Sequence, residues 1–258
     1  MTGSYAAICS GFYVNQRLST RMELPLKREA VLDLFERIRK EFPRLDRFRR
    51  YRDASGSVGE LALETSGKTP HDQWIALRKT SVRTGIVDPP SLPEAYKFHR
   101  SALDLAPFYL SINPLDISGL EVMLGFDLDA GGNHNDIVRE ALLDHSPLAR
   151  LTDTHGEQPL IRLEPSVGFA LSARADVQGF VEIKTRTGAR EVRNNRFPES
   201  PISVLVSVRQ SGSFVDPATK DLGAVFDRLA AEAEELVDSR VAPCIINPLR
   251  QAIASGSR

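Results

Sequence analysis

The sequence predicts an α+β protein, with antiparallel strands and helices laid on one face, in two similarly planned β-α-β-β-β halves. Three observations predict it. In Leu120–His145 the apolar period changes from two to about 3.6, so a strand passes into a helix within one segment. The same change of rhythm recurs near the start of the chain and near its end. Finally, Leu222, Val225, Phe226, Leu229, Ala233, Leu236, Val237 and Val241 trace a long amphipathic C-terminal helix, with Glu232, Glu234, Glu235 and Asp238 on its other side.

In chain order, Ile8, Ser10, Phe12 and Val14 alternate with Cys9, Gly11, Tyr13 and Asn15, which reads as a first strand. Pro25 suits the opening turn of a helix, and Leu26, Ala30, Val31, Leu34, Phe35, Ile38 and Phe42 mark its apolar stripe up to Pro43. The basic window Arg44–Asp53 reads as a solvated helix face running into a polar loop, with Phe48 and Tyr51 packing inward. Leu61, Leu63 and Thr65 suggest a strand, and Trp74–Val82 another. Gly85–Pro93 is a Pro-rich connection. Ser91 with Glu94 makes a capping-box pair for a helix that Pro107 ends, and Phe108–Ile112 reads as a brief strand. In the pivot segment Leu120, Val122, Leu124, Phe126 and Leu128 face one way. Asn133 or Asn135 then caps a helix carrying Ile137, Val138, Ala141 and Leu142. Val167–Ala173 and Phe180–Thr187 form a strand pair, and Ile202, Val204, Val206 and Val208 give a β-branched strand. Pro243 and Pro248 interrupt the terminal helix, leaving Leu249–Ile253 for one more turn. The plan repeats across residues 1–118 and 119–258, as an internal duplication within one intimately packed unit would give.

Composition narrows the function classes. The chain has 258 residues, 41% hydrophobic and 26% charged, which is ordinary for a globular protein able to bury a real core. A net charge of −1 supplies no global field toward nucleic acid or an anionic membrane. No apolar run approaches the roughly 20 residues of a membrane helix. Cys9 and Cys244 lie near opposite ends, with no disulfide framework and no convincing signal peptide, so the expected compartment is the cytoplasm.

Four stretches invite a chemical reading. Asp127-x-Asp129-x-Gly131-Gly132-Asn133-x-Asn135 looks like the front of a calcium loop. However, Gly131 lacks the side-chain oxygen expected at the fifth position, and Val138 stands where a bidentate Glu belongs. Ser66-Gly67-Lys68-Thr69 resembles the tail of a phosphate loop, but Ala62 replaces the required Gly and no helix follows directly. His134, His145 and His155, with Asp127, Asp129, Asp144 and Asp153, offer metal-ligand types at spacings that match no metal motif. Two basic clusters, Arg47, Arg49, Arg50 and Arg52, then Lys184, Arg186, Arg190, Arg193 and Arg196, would suit an anionic ligand if the fold brought them together.

The expectation is therefore a non-catalytic binding or interaction protein without cofactor, metal or membrane segment. Its partner would be another protein or an anionic ligand. A nucleic-acid or phosphate-ligand binder built on the two basic clusters is one alternative. An enzyme with a site near Asp127–His155 is the other.

Overall fold

The structure is a computed structural model that describes residues 5–54, 56–67, 71–144, 146–152 and 158–256. Nine strands form one antiparallel sheet: β1 (Gly11–Thr20), β2 (Leu45–Arg52), β3 (Val58–Thr65), β4 (Gln73–Arg78), β5 (Ser81–Val87), β6 (Ile117–Ala130), β7 (Ser166–Ala170), β8 (Val177–Lys184) and β9 (Ser200–Ser211). Their order across the sheet is β2-β3-β4-β5-β1-β6-β9-β8-β7. The main helices are α1 (Arg28–Glu41), α2 (Leu92–Tyr109), α3 (His134–Leu142), α7 (Leu222–Leu236) and α8 (Asn247–Gly256). Short turns α4 (Ala149–Thr152), α5 (Ala189–Arg193) and α6 (Pro217–Lys220) lie between them. The predicted α+β class, the antiparallel sheet and the long terminal helix are all present.

The chain runs alike on the two sides of the central β1–β6 pair. β1 lies at the centre, α1 carries the chain to edge strand β2, and a meander returns through β5 to β1's flank before α2. β6 likewise lies at the centre, α3 and α4 lead to edge strand β7, and β8 and β9 return to β6's flank before α7.

One face of the sheet carries the core. Phe12, Val14 and Leu18 of β1 sit at the same register as Ile86 and Val82 of β5 and Phe126, Leu124 and Leu120 of β6, all buried. Helices α2 and α7 pack against this face, and α1 packs on α2. Each buried Val or Leu contributes about 1.5–3 kcal/mol. Ser91, Asn133 and Asp221 cap α2, α3 and α7 by accepting from the amides of Glu94, Asn135 and Ala224.

Four local expectations give way. Arg44–Asp53 holds edge strand β2, with Arg47↔Glu64 and Arg49↔Ala62 in register with β3. Phe48 lies 5.9 Å from the Phe35 ring but stays exposed, and Tyr51 is exposed as well, so neither packs inward as expected. Trp74–Val82 is two strands, turned at Lys79-Thr80. The second runs on to Val87, so Gly85–Val87 belong to β5 and not to the expected Pro-rich connection. Phe108–Ile112 is not a strand, because α2 continues through Pro107 to Tyr109. Neither Pro243 nor Pro248 interrupts the terminal helix, and Pro248 lies in the first turn of α8, which follows without a break. Val237–Ile246 widens into a π-helical segment, which accommodates a residue that has no N–H to donate and would crowd the carbonyl one turn back.

Candidate functional site: the uncovered sheet face

Strand alternation places a second set of side chains on the face away from α2 and α7. Two rows of register cross it. The first runs Trp74 (β4), Gly85 (β5), Asn15 (β1), Met123 (β6), Ser207 (β9) and Phe180 (β8). The second runs Arg83 (β5), Arg17 (β1), Glu121 (β6), Arg209 (β9) and Gln178 (β8). Trp74, Asn15, Arg83, Met123, Phe180 and Arg209 are part-exposed, and Arg17 is exposed.

Glycines let aromatic rings lie low on this face. A Cβ on Gly85 would stand 2.3 Å from Trp74 Cε2 and 2.4 Å from Cζ2. A Cβ on Gly125 would stand 2.1 Å from Tyr13 Cε2. Each ring therefore occupies the space that a side chain on the neighbouring strand would need. The Arg83 guanidinium lies 5.5 Å from the Trp74 ring centre, and that of Arg209 4.5 Å from Phe180. Each side of the sheet thus supplies one aromatic–arginine pair.

The arginines are held by neighbours. Arg17 pairs with Glu121 at 2.7 Å, Arg78 and Arg83 share Glu60, and Arg209 donates to Gln178 Oε1 at 2.7 Å. Part-exposed pairs of this kind add only about 0.2–1 kcal/mol each, so their main effect is to fix where the guanidinium forks point. Burial, followed by neighbouring Arg78, lowers the Arg83 pKa. Beside the second row lie two shallow depressions of about 450 and 170 Å³, both lined by Arg17 and Ser19.

At one end of the face, Asp127 accepts from Ser203 Oγ at 2.6 Å, and Arg186 donates to Ser203 at 3.1 Å. The Tyr13 phenol is pushed up to about 12, first by burial and then by Asp127.

The sequence-predicted residues fall as follows. Arg47 and Arg49 share the face with Glu64, and Arg49 pairs with that carboxylate at 3.8 Å. Arg50 lies over the Phe48 ring on the other side, and Arg52 donates to the Gly56 carbonyl. Lys184 pairs with Glu182 at 3.0 Å. Arg186 reaches Ser203, while Arg190, Arg193 and Arg196 are exposed on and after α5. The two clusters are not gathered into one pocket. β2 and β8 stand seven strand positions apart, about 34 Å at a usual inter-strand spacing.

The Asp127–Asn135 oxygens do not form a calcium cradle. Asp127 is engaged with Ser203. Asn135 clamps a loop: it accepts from the Leu163 amide and Thr185 Oγ1 and donates to the carbonyls of Leu160 and Thr187. His134 accepts from the Arg186 amide through Nδ1, and its Nε2 lies 3.2 Å from the Ala130 carbonyl, so both ring nitrogens serve the backbone. Among the described residues no three His, Cys, Asp or Glu side chains are grouped to hold a metal, and His145, Asp153 and His155 lie outside those residues. Lys68 and Thr69 of the phosphate-loop look-alike also lie outside them. No helix among the described residues is long and apolar enough to cross a membrane.

Sequence reasoning passed over Arg17, Arg83 and Arg209, each a lone cation inside an apolar strand. Only the pairing of β5, β1, β6 and β9 sets them in line. The fold and face define a class, an antiparallel sheet with α2 and α7 packed on one side and, among the described residues, a part-exposed other side of mixed arginine and aromatic character. Comparison with protein-family models gives no match, and neither does comparison with curated proteins.

Proposed function

We propose that this chain is a non-catalytic binding protein whose working surface is the uncovered face of its sheet, and that its partner is anionic. The observation that carries the reading is the register row that sets Arg83, Arg17 and Arg209 across both sides of the β1–β6 pair. Ion pairs and aromatic rings hold these guanidiniums in place, so little side-chain entropy is lost when a partner engages them. The depressions beside the row are shallow, which suits an extended partner better than an enclosed small molecule. In the second row three guanidiniums stand with one carboxylate, Glu121, although the chain as a whole has a net charge of −1.

The Asp127 neighbourhood favours holding over turnover. Ser203 has Asp127 and Arg186 as partners, and neither nitrogen of His134 is free to act as its general base. We also take residues 1–118 and 119–258 as an internal duplication. The shared route from central strand to helix, edge strand and return meander supports it.

The test is retention on a heparin column, with heparin as a generic polyanion. Arg17→Ala and Arg209→Ala should each elute at lower salt than the parent protein. Arg28→Ala, at an exposed position in the first turn of α1, should elute with the parent. Retention that depends on Arg28 but ignores Arg17 and Arg209 would place the anionic surface elsewhere.

A further inference from the structure

The partner's chemistry can be narrowed further, on the reading that the open face takes an anion. We infer that the face binds single-stranded nucleic acid, laid across the strands with unpaired bases stacking on the Arg83–Trp74 and Arg209–Phe180 pairs, and with phosphates on Arg17 and on the N–H edges of the two stacked guanidiniums.

A simple polyanion would need only the arginines. This face sets an arginine over a part-exposed aromatic ring at two places, Arg83 over Trp74 and Arg209 over Phe180. β4 and β8 are five strand positions apart, so the two aromatic platforms stand about 24 Å from each other. Both rings are in the same register row, with Gly85, Asn15, Met123 and Ser207 as the floor between them. Ring faces and guanidinium planes stack on any base, and a parallel row of cations tracks a backbone. Paired bases in a duplex are already stacked on each other and offer the rings no free face. A protein partner is less well matched, because Gly85, Asn15, Met123 and Ser207 between the rings offer little apolar surface. Phosphates would have to draw Arg17 from Glu121 and Arg83 from Glu60, so affinity should be moderate and strongly salt-dependent.

Trp74 is the only tryptophan in the chain, so the proposed surface carries its own reporter. The experiment titrates the 258-residue chain with a 20-mer of deoxythymidylate at low salt. Trp74 emission and the anisotropy of labelled oligonucleotide are followed together. Stacking predicts quenching of Trp74 in step with the anisotropy rise. Arg17→Ala and Arg209→Ala should each flatten the dependence of log K on log salt by about 0.7. Trp74→Ala should weaken binding roughly 5- to 100-fold, whereas Trp74→Phe, which keeps a ring, should retain most of it. Thermal melts of each variant check that the fold is intact, and the arginine variants keep the test decisive if Trp74→Ala does not fold.

Heparin retention without oligonucleotide binding would overturn this inference and leave the anionic-face reading standing. Equal competition by the same 20-mer annealed to its complement would also overturn it, because charge alone would then account for binding. Failure to bind either probe would remove both.

Discussion

The placement of Trp74 over Gly85 yields a prediction in which the sign decides. Gly85 sits inside β5 with no positive φ, so its backbone would accept alanine. An uncovered strand glycine replaced by alanine gains about 0.5–1 kcal/mol, because the unfolded chain loses freedom. Here the new methyl would stand 2.3 Å from Trp74 Cε2 and 2.5 Å from Asn15 Oδ1. The indole must leave, and overpacking of this kind costs about 1–3 kcal/mol. Gly85→Ala should therefore destabilise the protein in urea titrations and shift Trp74 emission to the red. In the background of Trp74→Ala the same substitution should cost nothing or stabilise, a coupling of about 1–3 kcal/mol. A stabilised single variant with unchanged emission would show that the ring does not lie on Gly85. The aromatic platform would then lose its basis.

Three further outcomes follow from the same coordinates. His99 is buried, with its Nδ1 2.7 Å from Thr84 Oγ1, and desolvation lowers its pKa to about 3. The unfolded chain then takes up this proton near pH 6.5 while the folded one refuses it. Stability should fall as pH drops from about 6.5 toward 3, by about 2 kcal/mol between pH 7.5 and 5, and His99→Gln should remove that part of the slope in urea titrations. Asn135→Ala breaks four hydrogen bonds, two to the segment at Leu160 and Leu163 and two to Thr185 and Thr187, and should cost about 2–4 kcal/mol and speed proteolytic cleavage around Leu160. Burial, with Asp88 and Asp127 adding to it, pushes the Cys9 thiol up to about 11. Iodoacetamide at pH 8 should therefore alkylate exposed Cys244 first, with mass spectrometry showing Cys9 lagging.

What could be read from the sequence followed from rhythm. β6, β9, α3 and α7 carry unbroken apolar periods and were legible at once. β2 was not, because edge strands carry charge and its bulged Leu45–Arg47 step spoils the alternation, so LDRFRRYR reads like a helix face. The β4–β5 hairpin was hidden because Lys79-Thr80 lacks the Gly, Asn or Pro that marks most turns. Density along the chain drew attention to Arg44–Arg52 and Lys184–Arg196, which the fold leaves near the two sides of the sheet. The row of Arg83, Arg17 and Arg209 had no such local signal, since those residues meet only through cross-strand register. Buried Gln16, Thr84 and His99 were invisible for the same reason.

The working surface itself can be mapped by oxidative footprinting of the intact chain with and without bound heparin. The account predicts protection of Met123, Tyr13, Trp74 and Phe180, while exposed Phe108 at the end of α2 stays as reactive as before. Protection centred on Phe108, with Met123 and Trp74 unchanged, would contradict it.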